Sequence, residues 1–188
     1  MLGLDAGRGR FLSTMHPRID ELLDYIDRQA DVLRGEFEAI PRERRGARPS
    51  PDRWSPAEVV HHVVIVERSV TRLLQRLIAE ARAHEPEADE SSILTVLEPD
   101  RAINRDRRIA TSDASQPRDT DPERVWSDFE TTRRGLKEVV ATADGLAMSK
   151  VSAPHPALGA LDGYGWIAFV GSHAARHAAQ IKEDAATL

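Results

Sequence analysis

Four stretches of this chain repeat apolar residues at intervals of three and four, and no stretch alternates apolar with polar as a half-buried strand must. In residues 17–38 the repeat is Ile19, Leu22, Leu23, Ile26, Ala30, Leu33 and Phe37. The second opens at Ser55-Pro56-Ala57-Glu58, where Ser55 reads as N-cap, Pro56 as first helical residue and Glu58 as the reciprocal partner of a capping box. It runs on through Val59, Val63, Val66, Val70, Leu73 and Leu77 to about residue 83. A third helix is expected from Asp121-Pro122-Glu123, carrying Val125, Phe129, Leu136, Val139 and Val140, with Asp144-Gly145 as its stop. The fourth is predicted over residues 163–184. A helix that buries one stripe needs a partner for it, so the fold class is all-α, a four-helix bundle formed by residues 1–188 as one domain.

Residues 41–53, rich in Pro and Arg, join the first two helices. Residues 84–120 are charged and poorly periodic apart from an apolar island at 93–97, and are expected either to move or to cover a site. A second irregular stretch contains Ala153-Pro154-His155-Pro156 and Gly159 and reads as loop.

Composition removes several classes of chemistry. The chain has no cysteine, which rules out disulfides, thiolate ligands and a cysteine nucleophile, so any metal must be held by His, Asp or Glu. Lys and Arg number 26 against 31 Asp and Glu, with no basic block, so no nucleic-acid partner is expected. No apolar run approaches the ~20 residues of a membrane span. The opening MLGLDAGRGRF lacks a secretory apolar stretch, so no membrane partner and a cytoplasmic location are the expectations.

The fourth helix carries His173-Ala-Ala-Arg-His177. Residues four apart on a helix are stacked neighbours, about 5–6 Å between Cβ atoms, so two imidazoles can converge on one ion. With Trp166 as zero and ~100° per residue, Val170, His173, His177 and Ile181 fall within roughly 60° of one line. Both rings therefore face the core and need partners there. A metal is one possibility; a backbone carbonyl or a carboxylate on a neighbouring helix is the other.

A zinc site that does chemistry commonly has three protein ligands and one open position. The second helix offers His62, at about −60° from its apolar stripe, and His61, at about 200°. His62 is the choice and His61, expected to face solvent, the fallback. Glu67, roughly 80° from the stripe, reads as a solvated flank carboxylate, with a role as acceptor for an imidazole N–H as the alternative. His16 and His84, beside helix ends, are expected to be solvated; His155 reads as a turn residue that could line a pocket. Trp54 and Trp166 read as packing residues, and Trp126 as lying under the long loop. Arg176 reads as solvent-facing, with the capacity to receive an acidic substrate group.

The segment Trp54-Ser55-Pro56-Ala57-Glu58-Val59-Val60-His61-His62, followed by Glu67, resembles the WSPxEVxxH signature of the DinB/YfiT-like superfamily, in which the histidine stands eight positions after the tryptophan. That position is His62. His155-Pro156 through Gly159 to Trp166, then His173-x3-His177-x2-Gln180-Ile181, is similar to the closing helix of the same family, and Pro117 through Pro122 into Trp126 and Arg134 to its entry into the third helix. The resemblance implies an up-down-down-up bundle, commonly a homodimer, with zinc or nickel held by His62, His173 and His177. It further implies one of several reactions: transfer of a low-molecular-weight thiol such as bacillithiol or mycothiol to an electrophilic substrate, a thiol-dependent isomerisation, or hydrolysis.

Three functions follow as expectations. The first is a metal-dependent thiol S-transferase, whose thiol must be a small molecule because the chain has none of its own. The second is a metal-dependent hydrolase, disfavoured because the histidine pair lacks an adjacent helix-borne glutamate. The third is a bundle that binds a metal or ligand without catalysis. Zinc leads nickel, since three nitrogens and a water suit zinc, whereas the affinity order favours nickel when it is supplied.

Overall fold

The structure, a computed structural model, describes residues 15–97, 103 and 111–188. The opening segment and the rest of 98–110 lie outside the described residues. Four long helices form where periodicity placed them: α1 Pro17–Glu38, α2 Pro56–Ala81, α3 Val125–Ala141 and α4 Gly163–Ala185.

Their ends follow from local chemistry. The α2 capping box is complete: Ser55 Oγ accepts from the Glu58 backbone N–H (3.2 Å) and Glu58 Oε2 from that of Ser55 (2.8 Å). Asp162 caps α4 by accepting from the Gly165 N–H at 2.7 Å. His16, expected to be solvated, instead caps α1, its Nδ1 accepting from the Arg18 N–H at 3.3 Å. The α3 start falls later than Asp121, because residues 122–124 form a turn before the first α-helical residue.

Side-chain pairs give the helix directions. Between α1 and α3, Arg34 meets Glu130 and Asp27 meets Lys137, so these two run antiparallel. Val59, Val60 and Val63 share one core cluster with Val125 and Phe129, while Val70, Leu74 and Leu77 share the other with Leu136 and Val140, so α2 and α3 are parallel. Tyr25 meets Ser172 and Glu36 meets Lys182, so α1 and α4 are parallel as well. The order is up-down-down-up. Around the ring α1 packs on α4 and α3, and α2 on α3 and α4, leaving α1 and α2 diagonal.

One element departs from the expectation of no strands. Ser152–His155 and Gly159–Asp162 pair antiparallel as a hairpin, β1 and β2, with Ser152 opposite Asp162 and His155 opposite Gly159. Two four-residue strands, the first carrying Pro154, are too short for a period of two to emerge from sequence. Gly159 closes the turn with φ of +83°, a backbone region that costs glycine little.

The segment after α2 is tied down. Arg18 reaches Glu87 (3.1 Å), Asp89 and the Ser91 carbonyl (3.1 Å), while Glu21 accepts from Ser92 Oγ and the Ile93 backbone N–H at 2.6 and 2.8 Å. Ile93 of the apolar island is buried beside α1, and Leu94–Leu97 form one helical turn. These contacts hold residues 87–93 against α1.

The core comes in two apolar clusters, one around Ile26, Leu74, Leu136 and Ile167, the other around Phe37, Val63, Phe129 and Ala178. Between them lies a polar layer. Arg133 Nε donates to Glu67 Oε2 at 3.1 Å, Arg133 also bonds the Ile26 carbonyl, and Tyr25 Oη meets Ser172 Oγ at 3.1 Å. Gly171 lets α4 approach α1 at this level, for a Cβ there would stand 2.4 Å from the Tyr25 ring.

Candidate metal centre

The apolar stripe of α4 turns His173 and His177 toward α2, whose own stripe is bordered by His62. Antiparallel packing of α2 on α4 brings all three rings to the polar layer. Centroid separations are 4.5 Å for His173–His177, 4.9 Å for His62–His177 and 5.2 Å for His62–His173. One ring nitrogen from each lies within 4.8 Å of the others. His62 and His177 are buried and His173 is half-buried.

The tautomers follow from the partners. His62 Nδ1 lies 2.8 Å from the Ser115 carbonyl oxygen, which can only accept, so Nδ1 carries the proton and Nε2 the lone pair. His177 Nδ1 lies 3.0 Å from Gln180 Oε1, with the same result. His177 Nε2 then faces His173 Nε2 at 3.2 Å. The edge of a tetrahedron of nitrogens at ~2.0–2.1 Å from zinc is about 3.3–3.4 Å, so this pair already stands at ligand spacing.

His173 supplies the sharper test of fit. Its Nδ1 is sealed from solvent and has no hydrogen-bond partner among the described residues. With the proton on Nδ1, a buried donor lacks an acceptor and two Nε2 lone pairs confront each other; with the proton on Nε2, a buried acceptor lacks a donor. Either arrangement of the neutral ring is incomplete. A cation between the Nε2 atoms removes the clash of lone pairs, and the donor set suits a borderline-soft divalent ion.

Electrostatics keep the rings in the ligating form. Burial pushes the His62 pKa down, the Ser115 carbonyl opposing. His173 falls well below the usual imidazole range, first through burial and then through His177 and His62. Neutral imidazole is the species that binds metal.

The rings open onto a cavity of about 390 Å³. Val66, Val70, Leu73, Leu158, Trp166 and Phe169 make its apolar walls, and Ser69, Thr111, Ser112 and Ser115 bring hydroxyls. Arg176 also reaches it, rather than facing solvent alone.

Several expectations need correction. Glu67 is neither solvated nor an acceptor for a histidine: it is 1% exposed and paired with Arg133. In this ring α2 has neighbours on both flanks, so a residue 80° off its stripe faces α3. Burial raises the Glu67 pKa, with Arg133 opposing. His61 is half-buried for the same reason, its Nδ1 2.7 Å from Thr120 Oγ1. Trp126 stacks on Phe37 with centroids 5.6 Å apart. Trp166 packs and lines the cavity at once, while Trp54 covers His62, centroids 5.0 Å apart.

Sequence reasoning assigned no role to the residues that aim the rings, although Gln180 stands in the closing-helix motif. Gln180 was within reach of a spacing argument, three positions after His177 on one face. Ser115 contributes a backbone carbonyl from an aperiodic segment, which no side-chain pattern marks.

The DinB superfamily model matches residues 10–181. The uncharacterised protein YuaE of Bacillus subtilis (strain 168) is 25% identical over 149 residues, which span 79% of this chain and 87% of YuaE. Among solved structures, the crystal structure of TT2238, a four-helix bundle protein, superposes with a TM-score of 0.59 at 23% identity, covering 88% of this chain and 98% of that one. That likeness is one of fold.

Proposed function

This chain belongs to the DinB superfamily, and from that membership and the histidine geometry we propose that it is a metal-dependent enzyme that joins a low-molecular-weight thiol, of the mycothiol or bacillithiol type, to an electrophile. His62, His173 and His177 hold the divalent ion, zinc first and nickel second. The observation that carries this is the convergence of one ring nitrogen from each histidine within 4.8 Å, with the Nε2 atoms of His173 and His177 facing each other at 3.2 Å. The ion, when bound, would supply a positive centre that favours thiolate over thiol near neutral pH.

The chain's own residues do the rest. Ser115 and Gln180 hold Nδ1–H of His62 and His177, which aims both lone pairs and keeps the rings from rotating. Trp166, Phe169 and Leu158 exclude water from one side of the cavity and pack an apolar electrophile; Ser69, Thr111 and Ser112 present hydroxyls to polar parts of either reactant. A hydrolytic alternative has less support: Glu67 is held by Arg133, and the described residues lining the cavity include no carboxylate.

The test is metal content of untagged protein purified without immobilised nickel, compared with His62→Ala and His173→Ala, followed by thiol consumption with monochlorobimane. Near-stoichiometric metal lost in both variants, with thiol turnover in the parent alone, is the expected result. Absence of metal uptake on adding zinc overturns the metal reading; metal without turnover of any common cellular thiol overturns the transferase and leaves a metal- or ligand-binding bundle.

A further inference from the structure

The hairpin is the one non-helical element with a regular ladder among the described residues, and its tip stands at the histidine cavity, with His155, Pro156 and Leu158 in the lining. His155 ends β1. Its Nδ1 accepts the backbone N–H groups of Ala157 and Leu158, both at 3.1 Å. An atom that accepts two N–H bonds holds a lone pair, so the neutral ring carries its proton on Nε2. Burial lowers the His155 pKa, which keeps the ring neutral.

The ring cannot easily turn away. Phe169 and Trp166 flank it with centroids at 4.6 and 5.4 Å, and Trp166 is itself tied by Nε1–H to the Ala153 carbonyl at 3.2 Å. Tautomer and orientation are therefore both set by the fold. The remaining donor, Nε2–H, meets no acceptor among the described residues and is not among the sealed, unpartnered atoms, so it stands open.

We propose that His155 is a positioning residue of the cavity, whose Nε2–H donates to a carbonyl-type acceptor on an aromatic or apolar ligand lying against Trp166 and Phe169. The proposal rests on the reading of this cavity as the substrate site, and on neither the metal nor the thiol. Asparagine can cap such a turn equally well, its side-chain oxygen standing where Nδ1 stands. Its amide nitrogen, however, stops one atom short of Nε2. A histidine here adds the longer donor.

The test compares 4-fluoroacetophenone with 1-ethyl-4-fluorobenzene, matched in shape and differing in the carbonyl, titrated by ¹⁹F NMR against the full chain after chelation and after zinc loading. In chelated parent the ketone binds about three- to tenfold more tightly, the worth of one hydrogen bond. His155→Asn erases that preference, so that ketone and hydrocarbon bind with equal affinity whatever change in affinity the two share. Equal affinities in the parent, or a preference that survives in His155→Asn, overturns the proposal. ¹⁵N spectra of histidine-labelled parent provide a readout that needs no variant: His155 shows the Nε2–H tautomer, and an Nδ1–H signature overturns it. Chelated protein without thiol separates the two readings, since a failed thiol assay leaves these titrations standing and a failed ketone preference leaves the metal site standing.

Discussion

Gly171→Ala tests how closely the site depends on the α1–α4 contact. A Cβ at position 171 would lie 2.4, 2.7 and 3.3 Å from three Tyr25 ring atoms. The ring has little room to yield, being 6% exposed and bonded through Oη to Ser172. Overpacking of this kind costs about 1–3 kcal/mol, and the approach below 3 Å against ring carbons belongs at the upper end. Glycine to alanine in a helix returns roughly 0.5–1 kcal/mol, so the net loss is on the order of 1–2 kcal/mol. At roughly 2–4 °C per kcal/mol for a chain of this size, the melting temperature falls by about 2–8 °C. Gly35→Ala on α1 is the control: a Cβ there meets nothing within 4 Å, so only the helix gain remains and melting rises by about 1–4 °C. The assay is thermal unfolding of parent and both variants with chelator, then zinc affinity of each. Because His173 and His177 follow Gly171 on α4 while His62 sits on α2, Gly171→Ala also weakens zinc binding and Gly35→Ala does not. A Gly171→Ala protein that melts at or above the parent would refute the packing argument.

Removing the charge of Glu67 leaves Arg133 buried with part of its bonding lost, so Glu67→Gln is expected to destabilise by about 3–5 kcal/mol, read from urea midpoints; a change under about 1 kcal/mol contradicts a buried, committed pair. Gln180→Leu takes away the acceptor that orients His177, and zinc affinity falls by about ten- to a hundredfold in a competition titration, while the fold persists by circular dichroism. Acid should weaken the metal-free protein through its depressed histidines. Since His62 and His173 bind protons less readily folded than unfolded, their contribution is complete above the unfolded pKa near 6.5 and drains away as pH falls through the folded values. Glu67, with its raised pKa, acts in the opposite sense, so the readout is the parent's stability minus that of His173→Phe from pH 7.5 to 5.5. A difference that does not shrink with acid contradicts the assignment.

Local interactions made much of this protein legible in one dimension. The α2 capping box and the three-and-four spacing of apolar residues act within a turn or two of chain, so sequence alone determined the four helices and their inward faces, although the third ends at Ala141, ahead of Asp144-Gly145. Rotation about each helix axis then put His62, His173 and His177 on or beside those faces. What a single helix cannot contain is how many neighbours it has. Glu67 and His61 lie off the α2 stripe, and only the placement of α2 between α3 and α4 decided that one is buried on Arg133 and the other half-buried at Thr120. The same holds for the groups that aim the three histidine rings and shape the cavity. Ser115 acts through a backbone carbonyl common to every residue, and the hairpin presenting His155 is too short to show a period. Their roles come from contacts spanning more than 50 positions for Ser115, and from the packing of the hairpin on α4 for His155. Pattern in sequence reports which face of an element avoids water; which atoms meet across the interior is decided when the elements pack.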